Sequence, residues 1–246
     1  MAYAFPSIQK QNLCEQVVQQ IGLSIMRNDF KPGDILWSEH ELSAQFNVSR
    51  PILREALRML SAKGLIETRP KTGTRVRPRS DWNLLDPDVM SWQYTVGPNK
   101  GFLAEICELR LMVEPMVARL AALRATTDEI RLIGELCQAL QAATDIGTSE
   151  AYIPADLQFH DAIYAAAHNE LLQNILNTIR TPLLASRVVT SQLPDANLAA
   201  MPLHWAVAQA IHAQEAQEAE SAMRQLVLLT TSDIQRALDA HTEQDA

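Results

Sequence analysis

The sequence predicts a mainly α-helical protein in two parts. Three helices closed by a β-hairpin occupy residues 1–78, a linker follows at 79–100, and an all-α bundle fills 101–246. Three observations carry this. The hydrophobic period up to about residue 62 is helical, and after Gly64 it changes to two short extended runs. Beyond residue 100 glycine is scarce and Ala and Leu are abundant, which favours a bundle over a sheet. Charge is also unevenly divided: residues 1–79 carry 12 Lys and Arg against 7 Asp and Glu, a net of +5, while residues 80–246 carry 9 against 22, a net of −13. A basic first part and an acidic remainder imply different partners for each.

In the first part, NLCEQVVQQIGLSIMRNDF places Leu13, Val17, Ile21 and Ile25 on one helical stripe. KPGDIL (31–36) ends that helix with a Pro-Gly turn. SEHELSAQF (38–46) is a short helix with Ser38 as N-cap and Glu41 three residues on, a capping-box spacing. SRPILREALRMLSAKG (49–64) is a third helix, with Ser49 as N-cap, Pro51 in the first turn and Gly64 at the stop. GLIETRPKTGTRVRP (64–78) reads as a hairpin around PKTG. In the second part, helices are expected near 101–126, 128–143, 149–167, 169–180, 198–213 and 215–240.

The apolar fraction of 47% is that of a folded chain, and no run of about 18 apolar residues suits a membrane span. The first residues lack a basic start followed by an apolar core, so no secretory signal is expected. Cys14, Cys107 and Cys137 are far apart and form no CxxC, which argues against a disulfide framework or zinc knuckle and for a reducing cytoplasm.

Two helices joined by a short turn, the second opening with Ser and Arg, form a helix-turn-helix, and the hairpin adds a wing. In the third helix Ile52, Leu53, Leu57 and Leu60 make the packing stripe, while Ser49, Arg50, Arg54 and Arg58 fall largely on the other side. An Arg there suits guanine in the major groove, and Ser49 at the helix N-terminus suits a phosphate. At the wing tip Lys71 suits a phosphate or a groove, and Gly73 permits close backbone approach. One Arg alone would read as a solvated face; this clustering on two adjacent basic elements points to double-stranded DNA. The run PGDILWSEHELSAQFNVSRPILREALRMLSAKGLIETRPKTGTRVRP resembles the winged helix-turn-helix domain of the GntR family of bacterial transcription regulators, over about residues 10–78. The resemblance implies that Arg50 and Arg54 contact DNA, assisted by Ser49, Lys71 and Gly73. His40 stands where the family usually has Arg, which puts one expected contact in question.

ADLQFHDAIYAAAHN (155–169) sets Asp156 four positions ahead of His160, so their side chains share a helix face. From the residues alone a surface pair, a catalytic pair and half of a metal site all stay open. Flanking Phe159, Ile163 and Tyr164 favour a partly buried face. Together with ELRLMVEPMVARLAA and HWAVAQAIHAQEAQEAESAMR, this stretch resembles the FCD-type effector domain of the same family, over about 101–240. That resemblance implies a divalent metal (Zn, Ni or Mn) held by one aspartate and three histidines. Asp156, His160 and His204 match the first three, and the fourth position is Leu226. Two histidines and one carboxylate suit a metal with open positions; the alternative is that no metal binds and the histidines hydrogen-bond the effector directly. The resemblance also implies that Arg110, in ELRLMVEP, clamps a carboxylate effector, the alternative being a pair with Glu114. Arg187, in LLASRVVTSQ, is the second candidate unless it lies on the surface. SDWNLLDPDVMSW resembles the linker of family members that respond to sugar acids.

The expectation is therefore a repressor of a carbohydrate-acid catabolic operon, released from an inverted-repeat operator by a small carboxylate such as a hexonate, and acting as a homodimer. Two alternatives within reach are a regulator answering a different carboxylate, and a helical part that only dimerises. A metal-dependent enzyme lacks support: there is no HExxH, GxSxG or glycine-rich phosphate loop.

Overall fold

The structure, a computed structural model, describes residues 13–69, 73–97, 100–190, 193 and 195–244. The chain forms two compact units, 1–96 and 97–246.

The first unit is built from α1 (Leu13–Met26), α2 (Glu39–Gln45), α3 (Arg50–Ala62), β1 (Ile66–Arg69), β2 (Gly73–Val76), a 3-10 turn at Arg79–Asp81 and α4 (Pro87–Thr95). Val17, Ile21 and Ile25 of α1 meet Leu42 of α2 and Leu53, Leu57 and Leu60 of α3 in one core, which continues into Ile66 and Val76 of the hairpin. Leu13, expected on the same stripe, is 48% exposed at the first position of α1. Ser38 and Glu41 form the full capping box of α2. Ser49 is the N-cap of α3 by position, yet its side chain makes no capping bond. The hairpin is antiparallel, pairing Ile66 with Val76 and Arg69 with Gly73. Gly64 ends α3 at φ +76, and a Cβ there would lie 2.3 Å from the Asp81 carbonyl oxygen, so no other residue fits without displacing the chain that follows the hairpin.

Residues 79–97, expected as linker, carry more order than that. Asp86 caps α4 by accepting from the amides of Asp88 and Val89, and Pro87 follows it in the first turn. Lys63 holds both Asp86 (2.8 Å) and Asp88 (2.7 Å), and the Trp92 ring packs on Gly22 of α1. The signal was present in DPDV, an acid followed by proline, but the segment is too short for periodicity to reveal it.

The second unit comprises α5 (Lys100–Arg124), α6 (Thr127–Ile146), α7 (Ser149–Ala166), α8 (Glu170–Thr190), α9 (Ala196–His212) and α10 (Ala216–Gln244). α10 packs along α5 and α9, α6 packs on α7 and α9, and α7 also touches α5 and α8. Thus α7 is placed to gather side chains from most of the bundle. α8 runs ten residues beyond its expected end at 180. Thr126 and Glu129 form a capping box for α6, and His168, just past α7, reaches Glu129 at 2.9 Å. Among the described residues no helix is long and apolar enough to cross a membrane.

Candidate functional site

Asp156 and His160 lie one turn apart on the inward face of α7 and both are buried, so they are not a surface pair. His204, from α9, meets them: its Nε2 is 3.2 Å from Asp156 Oδ1. His160 Nε2 is 3.8 Å from the same oxygen. One donor atom from each of the three residues falls within 4.8 Å of the others. The Phe159 ring stands edge-on to both imidazoles and closes that side with carbon.

The remaining ring nitrogens fix the tautomers. His204 Nδ1 lies 3.0 Å from the Ala200 carbonyl oxygen, an acceptor only, so Nδ1 carries the hydrogen. His160 Nδ1 faces the Glu114 carboxylate at 3.5 Å. Both rings therefore turn Nε2 toward Asp156, backed by a carbonyl and a carboxylate, which is how metal-binding histidines are commonly held. Burial pushes His160 down to about 4, more than Asp156 and Glu114 can offset, so its ring is neutral near pH 7 and Nε2 offers a lone pair. With Nδ1 committed to Ala200, the 3.2 Å contact between His204 Nε2 and Asp156 Oδ1 is bridged by a proton or by a metal cation. The donor set thus fits a divalent metal.

Two arginines complete the cluster. Arg187 of α8 is buried, not on the surface. Its Nε donates to Asp156 Oδ2 at 2.6 Å, its Nη1 to Thr230 Oγ1 of α10 at 3.4 Å, and its Nη2 lies 3.2 Å from His160 Nε2. Burial alone would raise the Asp156 carboxyl, but the Arg187 guanidinium holds it well below the usual carboxylate range. Arg110 of α5 is fully buried and its Nε donates to Glu114 Oε1 at 2.6 Å. Burial would raise Glu114 too, and Arg110 instead holds it down. The pair with Glu114 is therefore present: Glu114 takes Nε, while Nη1 and Nη2 are buried without a hydrogen-bond partner. The Tyr164 hydroxyl is likewise buried and unpaired. Buried polar atoms are rarely left unmatched, and Glu114 Oε2 beside them is unpaired as well. Leu226 sits in the core of α10, and its carbonyl accepts from Thr230 one turn on.

On the first unit, Ser49, Arg50 and Arg54 are exposed at the start of α3. Arg54 Nε rests on Glu39 of α2 at 2.9 Å, and Arg58 is held by Glu55 at 2.6 Å. Gly73, exposed at φ +84, opens β2. Lys71 lies outside the described residues.

Residues 13–76 match the bacterial regulatory proteins of the gntR family, and residues 105–228 match the FCD domain. The chain is a GntR-family transcription regulator. The galactonate operon transcriptional repressor of Escherichia coli K12 is 33% identical over 221 residues, which span 89% of this chain and 96% of that protein. The transcriptional repressor NanR of the same strain is 32% identical, across 87% of this chain and 81% of its own length. In fold, E. coli McbR/YncC is similar at TM-score 0.53 and 19% identity, covering 93% of this chain and 98% of that one. Regulators of this family bind DNA and are not enzymes, which sets aside the metal-dependent enzyme.

Within the GntR-family frame, Asp156, His160, His204 and Arg187 come together directly, and Arg110 joins them through Glu114. Sequence reasoning missed Thr230 and Tyr152, whose hydroxyl donates to Asp156 Oδ1 at 3.3 Å; it named Glu114 as the alternative partner of Arg110 and Tyr164 as a flanking residue. Tyr152 sits four residues ahead of Asp156 on the same helix, so its spacing was a usable signal.

Proposed function

We propose that this regulator represses a carbohydrate-acid catabolic operon and is released from its operator by a small carboxylate, of the hexonate class, bound inside the second unit. The observation that carries this is Arg110: a fully buried guanidinium whose Nη1 and Nη2 have no partner, linked through Glu114 to the Asp156–His160–His204 cluster. A guanidinium fork suits a carboxylate, and an Asp-His-His cluster suits hydroxyl oxygens. The 33% identical relative named for the galactonate operon supports a sugar acid. Asp156, His160 and His204 would hold a divalent metal (Zn, Ni or Mn), which supplies open positions for effector oxygens. Arg187 supports a second reading, in which a guanidinium provides the cluster's positive charge and no metal is needed.

In this reading residues 1–78 bind DNA, 79–100 connect and 101–246 bind the effector. Arg50 and Arg54 read bases, with Ser49, Lys71 and Gly73 on the backbone. Two such units on an inverted repeat imply a two-fold homodimer. The test is operator binding, by fluorescence anisotropy, in the presence of hexonates and hexuronates. Release by one of them supports the proposal; operator binding unmoved by the whole panel contradicts it.

A further inference from the structure

His160 Nε2 is claimed twice. Arg187 Nη2 can only donate, so Nε2 holds the one lone pair in the ring plane and Nδ1 the hydrogen, on the side of the Glu114 carboxylate 3.5 Å away. Arg187 Nη2, 3.2 Å away, is a donor with no acceptor capacity, so it donates to that lone pair. A metal held by Asp156, His160 and His204 needs the same lone pair. One nitrogen serves one of them at a time.

The two oxygens of Asp156 divide differently. Oδ2 faces Arg187 Nε at 2.6 Å, while Oδ1 faces His204 Nε2 at 3.2 Å and His160 Nε2 at 3.8 Å. The Arg187–Asp156 contact can therefore persist alongside a metal, whereas the Arg187–His160 contact cannot. Arg187 is also tethered to the last helix through Thr230 Oγ1 at 3.4 Å, and Thr230 spends its own hydrogen on the Leu226 carbonyl. On α10 an apolar Leu226 and a guanidinium anchor one turn on thus stand together.

We propose that Arg187 is a built-in competitor for the metal position: its guanidinium holds His160 Nε2 in the metal-free protein, and metal loading requires Arg187 to release that nitrogen. The released Nη2 is then free for an anion, so loading the cluster prepares Arg187 to meet a carboxylate. This rests on the metal reading of the proposed function and adds to it a sign. A group that only orients a ligand from behind, here through Oδ2, strengthens metal binding, and its removal weakens affinity by about 10–100-fold. A competitor does the reverse.

The test uses full-length protein stripped by chelator, with Mn²⁺, Ni²⁺ and Zn²⁺ titrated calorimetrically into wild type, Arg187→Met, Arg187→Lys and Asp156→Ala. Thermal melts with and without metal run alongside. Arg187→Met should bind at least one of these ions about tenfold or more tightly than wild type, against the 10–100-fold loss expected of an orienting residue. Its metal-free melting temperature should fall, because Asp156 loses its buried partner, and metal should raise it further than in wild type. Arg187→Lys keeps a cation for Asp156, which protects the fold, but one ammonium on a flexible stem does not span Oδ2 and His160 Nε2 as the fork does. It should also bind metal more tightly than wild type. If wild type binds metal and both variants bind equally or more weakly, Arg187 is an orienting residue and the inference is overturned while the metal reading stands. If wild type and the Arg187 variants bind no better than Asp156→Ala, both are overturned.

Discussion

His204 Nε2 faces Asp156 Oδ1 at 3.2 Å while the other ring nitrogen donates to the carbonyl of Ala200. Helices α9 and α7 are thereby joined where a ring nitrogen and a carboxylate oxygen need a proton or a metal cation between them. This contact is the structural reason to expect a cation there, and it shapes the first prediction.

Asp156→Ala should abolish metal binding, since it removes the only charged donor. It also leaves the Arg187 guanidinium buried and uncompensated, at a cost of about 3–5 kcal/mol of stability. Leu226→His should destabilise the metal-free protein, because it places a polar ring at a fully buried position. If α10 presents residue 226 to the cluster, metal should restore that stability and be retained through dialysis against a weak chelator, while effector affinity falls. Metal content and urea unfolding, with and without metal, check both. A Leu226→His variant that gains neither metal nor metal-dependent stability counts against the placement.

Arg50→Ala and Arg54→Ala should each lose about 1–3 kcal/mol of specific operator binding and less of non-specific binding. Arg54 enters this with a partner, Glu39, at 2.9 Å, so Glu39→Gln should free it and leave affinity unchanged or higher. Anisotropy with operator and scrambled duplexes separates the effects. Wild-type affinity in both arginine variants would remove these contacts from the account.

Gly22→Ala should destabilise the first unit by about 1–3 kcal/mol, as overpacking does. Alanine is the better helix former by about 1 kcal/mol, so helix propensity predicts the opposite sign. Packing should win, because the added Cβ would lie 2.4 Å from the Trp92 ring. Chemical denaturation followed by tryptophan fluorescence gives the sign directly. A more stable Gly22→Ala would mean that Trp92 moves aside at little cost.

Met112, Met116 and Leu123 are exposed and fall along one face of α5, an apolar stripe suited to a two-fold contact. Met112→Glu combined with Met116→Glu should shift a dimer toward monomer and weaken operator binding with it. Sedimentation velocity at micromolar concentration decides this. A wild type that is monomeric with and without DNA contradicts the dimer, and a double variant that stays dimeric moves the interface elsewhere.

The sequence made local features legible and cross-helix ones much less so. The capping box of Ser38 and Glu41, the stop at Gly64 and the shared face of Asp156 and His160 all follow from spacings of three or four residues, which a helix turns into contacts. His204 lies 48 positions from its partner Asp156 and was placed only by family resemblance. Arg187 was the weaker of two arginine candidates, since a lone arginine in LLASRVVTSQ carries no mark of burial; it proves to touch Asp156, His160 and Thr230. Thr230 could not be found from spacing, because its partner stands on another helix 43 residues away. α4 escaped because nine residues offer too few turns for a period to show.

The most direct test of the account is calorimetry of metal-loaded protein with a panel of hexonates, comparing wild type with Arg110→Gln. One hexonate should bind wild type, and Arg110→Gln should lose about 1.5–3 kcal/mol, roughly 10–150-fold, as expected when a charged hydrogen-bond donor is removed. Binding of no hexonate, or equal affinity in the two proteins, would contradict a carboxylate held by the buried Arg110.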